Sequence, residues 1–190
     1  MTKQGFFVSK ERVSVVEEKL QFTIEEMTAD TVEQATKMRL ESWLETYINE
    51  EAGVEREWIE ARNKEQLSPE KVAMRRERLK NPNGARWVAK DPEGNVIGAA
   101  TPYQDDHSIQ HVGSLYVDKK WHGKGVGGAL MQKIIEWSDP AKPIELGVAT
   151  YNDRAKAFYR KWGFEEVPNS EMLFDDKIPE VKMIRKGDTQ

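Results

Sequence analysis

"WHGKGVGGALMQKII", residues Trp121–Ile135, sets four glycines within six positions, Gly123, Gly125, Gly127 and Gly128, directly ahead of an apolar pattern of helical period. Glycines let a backbone enter left-handed conformations and let a ligand approach it closely. The amides that open a helix have no partner inside it, and the positive end of the helix dipole lies beside them. A phosphate or diphosphate fits such a place. The same glycines also serve close packing of helix on strand, so the flanking sequence has to decide.

Two phosphate patterns can be weighed at once. The P-loop GxxxxGK followed by Ser or Thr is absent, because no Lys-Ser or Lys-Thr follows a suitable glycine. The dinucleotide pattern GxGxxG is met literally by Gly123, Gly125 and Gly128, with Glu145 placed like a ribose-binding acid. It implies a dinucleotide-binding oxidoreductase. Against it, "DKKWH" separates Val117 from Gly123, whereas the dinucleotide turn follows its strand at once. Too little chain follows to complete the alternating strands and helices of that fold.

Outward from the turn, the pattern predicts a helix over Val126–Trp137, closed by Asp139-Pro140, and a short buried strand over Pro143–Thr150. "NDRAKAFYRKWG" reads as a helix with Asn152 as N-cap and Gly163 as its stop. "FEEV" and "VKMIRK" read as closing strands. On the N-terminal side, "ARWVAKD", the turn "PEGN" and "VIGAATPYQ" predict a hairpin, and Ser108–Val117 one longer strand. Before them come a strand in "LQFTIEEMT", a helix capped by Thr28 or Asp30 with Leu40, Trp43, Leu44 and Tyr47 on one face, a second helix through "VEREWIEARNKEQ", and a third begun by Ser68-Pro69. The order predicts an α/β (α+β) domain: a single central mixed, mostly antiparallel sheet flanked by helices.

Composition bounds the function. In 190 residues, 38% hydrophobic and 33% charged with six Trp, one well-buried domain is expected over 1–190, with 1–19 as an N-terminal extension. No apolar run nears the roughly 20 residues of a membrane span, and Phe6-Phe7-Val8 is short for a signal peptide, so a cytoplasmic protein with no membrane partner is expected. Zero cysteines exclude a thiol nucleophile and thiolate metal sites, and His107, His111 and His122 lack metal-binding spacing, so no metal is expected. The formal charge of −4 argues against nucleic acid, and "KVAMRRERLK" reads as a solvated helix face.

"LYVDKKWHGKGVGGALMQKIIEW", followed by "VATYNDRAKAFYRKWGF", resembles the two core motifs of the GNAT superfamily of N-acetyltransferases. The family's glycine signature, Arg or Gln-x-x-Gly-x-Gly or Ala, falls on His122 to Gly127, with His122 departing from it. The resemblance covers about 85–167, the expected coenzyme A-binding core, and the helical first third suits the family's variable substrate-side helices. It implies a GNAT-like acyl-CoA N-acyltransferase fold and acetyl transfer from acetyl-CoA to a primary amine of a small molecule or peptide. Residue by residue, it implies that His122, Gly123, Lys124, Gly125, Val126, Gly127 and Gly128 hold the pyrophosphate. Leu115, Tyr116 and Val117 would pair with the pantetheine arm as an added strand, and Asn152 would contact the coenzyme. For Asn152, capping alone is an equal reading. Since the diphosphate is held mainly by backbone amides, the departure at His122 is expected to alter affinity more than function.

The implied chemistry assigns two catalytic residues. An amine attacks a thioester only as the free base, and the departing thiolate needs a proton. Tyr159 matches the tyrosine that often gives that proton; alternatively it is a core tyrosine sharing a helix face with Ala155 and Trp162. A strand amide at Leu115 or Val117 is the family's usual donor to the developing oxyanion. His111, four residues before Leu115, stands where some members carry a base, on the face of Gly113, Leu115 and Val117 unless a bulge near Gly113-Ser114 resets it. Glu145 and Glu41 are substitutes. Acidic residues within Glu41–Glu60, interleaved with Trp43, Tyr47 and Trp58, suit a cationic acceptor or are solvated helix faces. A homodimer is common in the family, and a non-catalytic acyl-CoA sensor or assembly module is the alternative function.

Overall fold

The computed structural model describes residues 21–188; the expected extension over 1–19 lies outside them. Strands are β1 Thr23–Glu26, β2 Trp87–Lys90, β3 Val96–Ala100, β4 Tyr103–Gln104, β5 Gln110–His111, β6 Leu115–Val117, β7 Ile144–Ala149, β8 Phe164–Glu166, β9 Met172–Phe174 and β10 Ile178–Arg185. Helices are α1 Val32–Thr46, α2 Arg56–Gln66, α3 Pro69–Arg78, α4 Val126–Trp137 and α5 Asp153–Lys161, with a 3-10 turn over Lys119–Trp121.

The sheet comes in two halves, ordered β1-β2-β3-β6 and β4-β5-β7-β10-β8, with β9 added beside β10. All pairs are antiparallel except β5 with β7. The long strand expected over Ser108–Val117 is therefore broken. Its first part pairs with β7 through Gln110 and His111, and its second pairs with β3 through Leu115 to Val117. The chain changes partner at Gly113, where a Cβ would meet Thr101 O at 2.6 Å, so that approach is open only to glycine. The expected strand through "VIGAATPYQ" breaks likewise, because Pro102 offers no N–H to a ladder and β4 joins the other half.

Helix α4 lies on β3, with Val126, Leu130, Met131 and Ile134 fully buried. Gly98 admits it: a Cβ there would stand 3.0 Å from Leu130 Cδ1 and Val126 Cγ1. This core also takes in Tyr159 and Phe164, whereas α1 packs Ala35 and Met38 against Val88 and Ala99 in a separate cluster. Trp43 and Ile59 join α1 to α2, and Asn63 Nδ2 donates to Leu40 O at 2.9 Å.

Caps follow the sequence in two helices and depart from it in one. Ser68 Oγ accepts from Lys71 N and Asn152 Oδ1 from Ala155 N, as expected. The cap of α1 is Thr31, not Thr28 or Asp30, since Thr31 closes a turn in which its hydroxyl donates to Thr28 O at 3.1 Å. Strand β9 goes unmarked in the sequence, because Met172, Leu173 and Phe174 are all exposed and show no alternation of buried and exposed positions.

Leu130 anchors α4 at the centre of the larger core. Leu130→Ala should lower unfolding free energy by about 3 kcal/mol in urea denaturation; a loss under about 1 kcal/mol would contradict this packing.

Candidate active site

The change of partner at Gly113 leaves a gap between β6 and β7. The last bond across it is Val112 N–H to Glu145 O, 2.9 Å. On the other edge, Thr101 N–H donates to Ser114 O and Asp118 N–H to Ile97 O. These bonds fix the alternation of the antiparallel ladder, so the peptide groups of Tyr116 face β3 while those of Leu115 and Val117 face the gap. The gap is part of a cavity of about 660 Å³, lined among others by Leu115, Tyr116, Val117, Leu146, Gly147 and Val148. Its size suits a ligand of cofactor dimensions.

The glycine turn closes one end of the cavity. Gly123 and Gly125 adopt φ of +76° and +87°, a left-handed conformation that a Cβ disfavours. Gly125 caps α4 without a side chain, and the first helical bond runs from Ala129 N–H to Gly125 O at 3.0 Å. The amides of Val126, Gly127 and Gly128 are thus left without partners among the described residues. His122 bridges the turn and α5. Its Nε2 bonds the Val117 carbonyl, which can only accept, and its Nδ1 meets Arg154 Nη1, which can only donate. The ring is therefore the Nε2–H tautomer, and it carries an arginine to the mouth of the turn. Gly123, Gly125, Gly127, Gly128, His122 and Arg154 all line the cavity. The side chains of Lys124 and Val126 do not: Lys124 lies over the Trp121 ring and Val126 is in the core.

Asn152 also lines the cavity while capping α5, so its two readings are compatible. Tyr159 is both a core residue, edge-on to Phe158 and Phe164, and a cavity wall. Burial pushes its phenol well above the ordinary tyrosine range, so the hydroxyl stays protonated at neutral pH. His111 lies at the cavity wall, stacked on Tyr103 with Nε2 bonded to Asp105 Oδ2 at 3.0 Å. Glu145 lines the wall paired with Lys182 at 2.8 Å, whereas Glu41 is exposed and away from the cavity.

Sequence reasoning missed Glu180. From β10 its carboxylate lies across Gly147, where any Cβ would collide with Oε2. Burial first, and the Asp175 carboxylate second, push Glu180 up to about 7. No local motif marks it; only the pairing of β10 with β7 brings it here.

A family model for the GNAT acetyltransferases matches residues 36–164. The chain belongs to the GNAT family. It is similar to the L-amino acid N-acetyltransferase AaaT of Escherichia coli, 35% identical over 98 residues covering 48% of this chain and 60% of that protein. An uncharacterised N-acetyltransferase of Mycobacterium tuberculosis is 33% identical over 93 residues, covering 47% of this chain and 58% of the other. The match spans less than two thirds of the length of these relatives. Among solved structures, PaiA N-acetyltransferase of Thermoplasma acidophilum in complex with coenzyme A shares the fold, with a TM-score of 0.68 at 22% identity over 87% of this chain and 98% of that one.

GNAT membership replaces the dinucleotide reading. The GxGxxG match here follows a 3-10 turn rather than the end of a strand, as the intervening "DKKWH" implied. The acidic stretch Glu41–Glu60 also resolves: its glutamates are exposed, and of them only Glu45 reaches the cavity, beside Lys119. Trp43 and Tyr47 do line the GNAT cavity, bonded to the Tyr116 hydroxyl at 3.0 and 2.9 Å. Among the described residues no helix is long and apolar enough to cross a membrane.

Glu180 gives a stability test. Its folded pKa is raised, so between about 4.5 and 7 the native state binds the proton more tightly and stability falls as pH rises. The stability of Glu180→Gln relative to the wild type should therefore grow from pH 5 to pH 8. A difference independent of pH, measured by thermal unfolding, would place Glu180 in water.

Proposed function

We propose that this chain is an acetyl-CoA-dependent N-acetyltransferase that joins an acetyl group to a primary amine of a small molecule or peptide by direct attack in a ternary complex. The observation that carries this reading is one cavity with two unpaired backbone surfaces: the β6 edge, where the Leu115 peptide groups and the Val117 N–H are open, and the amides of Val126 to Gly128. An extended amide-bearing arm pairs with the first, and a diphosphate with the second. Residues Gly123 to Gly125 shape the turn, Lys124 adds positive charge at its rim, and Arg154, presented by His122, brings a cation beside position 122, where the family has Arg or Gln. Tyr116 contributes its side chain, since its peptide groups serve β3.

Bound there, acetyl-CoA supplies the acetyl group as a thioester. Glu180, poised near neutrality, takes the proton of the attacking amine as the new N–C bond forms. Of the two N–H groups that face the gap, that of Leu115 or that of Val117 stabilises the negative charge that develops on the carbonyl oxygen, and the other stays with the extended arm. Tyr159, held protonated, gives its proton to the sulfur as the C–S bond breaks. His111, oriented by Asp105, is the second group able to accept the amine proton. In this reading residues 1–190 act as one domain, in the cytoplasm, without a metal, as a homodimer.

The test is release of the coenzyme A thiol with a panel of amines. Tyr159→Phe should lower kcat by about 10²-fold or more, while the affinity for acetyl-CoA changes less than about threefold (about half of the 1.4 kcal/mol that makes tenfold). Turnover in the wild type should rise with pH through about 7 and lose that limb in Glu180→Gln, because the base works only when deprotonated. Tight acetyl-CoA binding with no amine acetylated would favour the sensor reading instead.

A further inference from the structure

Helices α1 and α2 give the cavity wall two arginines, in contrast to the acidic sequence around them. Arg39 and Arg62 both line it. Among the described residues Arg39 makes no ion pair and no hydrogen bond, and its Nη2 is shut away from water. Arg62 donates through Nε to Asp175 Oδ2 at 2.6 Å and lies over the Trp43 ring at 3.8 Å, yet its Nη1 is likewise buried without a partner.

Nearby carboxylates do not supply what is missing. Asp175 already serves Arg62, and Glu45 lies beside Lys119. Arg75, which binds Gln66, is close enough for its positive charge to act on Arg39 and Arg62 rather than relieve them. A largely buried guanidinium at a cavity wall with no counter-charge, as at Arg39, is costly unless an acceptor arrives in the cavity. The planar donor fork of arginine matches a carboxylate.

We propose that the acceptor amine carries a carboxylate, taken up between Arg39 and Arg62, so that the substrate is a small zwitterionic amino acid rather than a plain amine or a lysine within a protein. This rests on the reading of the cavity as an acetyl-transfer site. The charged groups of the wall then divide the work: the arginines hold the substrate carboxylate, and the carboxylate of Glu180 faces the amine. Trp43 and Tyr47 form the wall between, and Arg62 is fixed in place by its stack on Trp43 and its bond to Asp175.

The test is calorimetric titration of the full chain, saturated with coenzyme A, with the common L-amino acids and with their carboxamides, followed by acetylation rates for both sets. At least one amino acid should bind 30-fold or more tightly than its carboxamide. That preference should fall at least tenfold in Arg39→Met and in Arg62→Met, with Arg39→Lys keeping part of it. Acetyl-CoA titration of each variant reports whether it is folded. Carboxamides binding as well as the acids, no amino acid binding at all, or a preference untouched by either arginine substitution would overturn the proposal while leaving acetyl transfer standing. Failure of the wild type to bind acetyl-CoA would instead remove the reading beneath it.

Discussion

The site depends on a single segment, residues 110–117, having to satisfy two sheets. Its first residues give their backbone bonds to β7, and its last give theirs to β3. Between them the chain passes Gly113, pressed against Thr101. Because antiparallel pairing uses every second residue on each edge, the switch leaves Leu115 and Val117 with polar groups that nothing in the ladder satisfies. His122 takes the Val117 carbonyl, and the rest face the cavity. An unpaired strand edge that lines a cavity can accept an extended backbone as an added strand.

The second unsatisfied surface follows from the same packing. Helix α4 is held on β3 by Leu130 and its neighbours, which fixes where its N-terminal amides point. The left-handed Gly123 and Gly125 deliver the chain to that position without covering it. The groups proposed to move protons then come from elements far apart in sequence: Tyr159 from α5 and Glu180 from β10. Both have pKa values raised by burial, and the two consequences differ. The phenol remains a proton donor, while the carboxyl comes to titrate near neutrality and can accept one.

Much of this was legible in the sequence, for reasons that can be named. The helices over Val126–Trp137 and Asp153–Lys161 have strong periodicity and clear end signals, and the glycine turn is a local motif. The break in residues 108–117 was visible only as a Gly-Ser that could bulge, since partner exchange is decided by β3 and β7 and not by the segment itself. Glu180 and the arginines were hidden for a related reason. Their significance comes from what surrounds them after folding, and the acidic run from Glu41 to Glu60 drew attention to charges that in fact face water.

The central claim is that the glycine turn and the open β6 edge together hold acetyl-CoA. Calorimetric titration of the protein with acetyl-CoA, with NADH in a parallel cell, tests it most directly. The account predicts micromolar, one-to-one binding of acetyl-CoA with no heat from NADH. Binding of NADH alone, or of neither ligand, would contradict it.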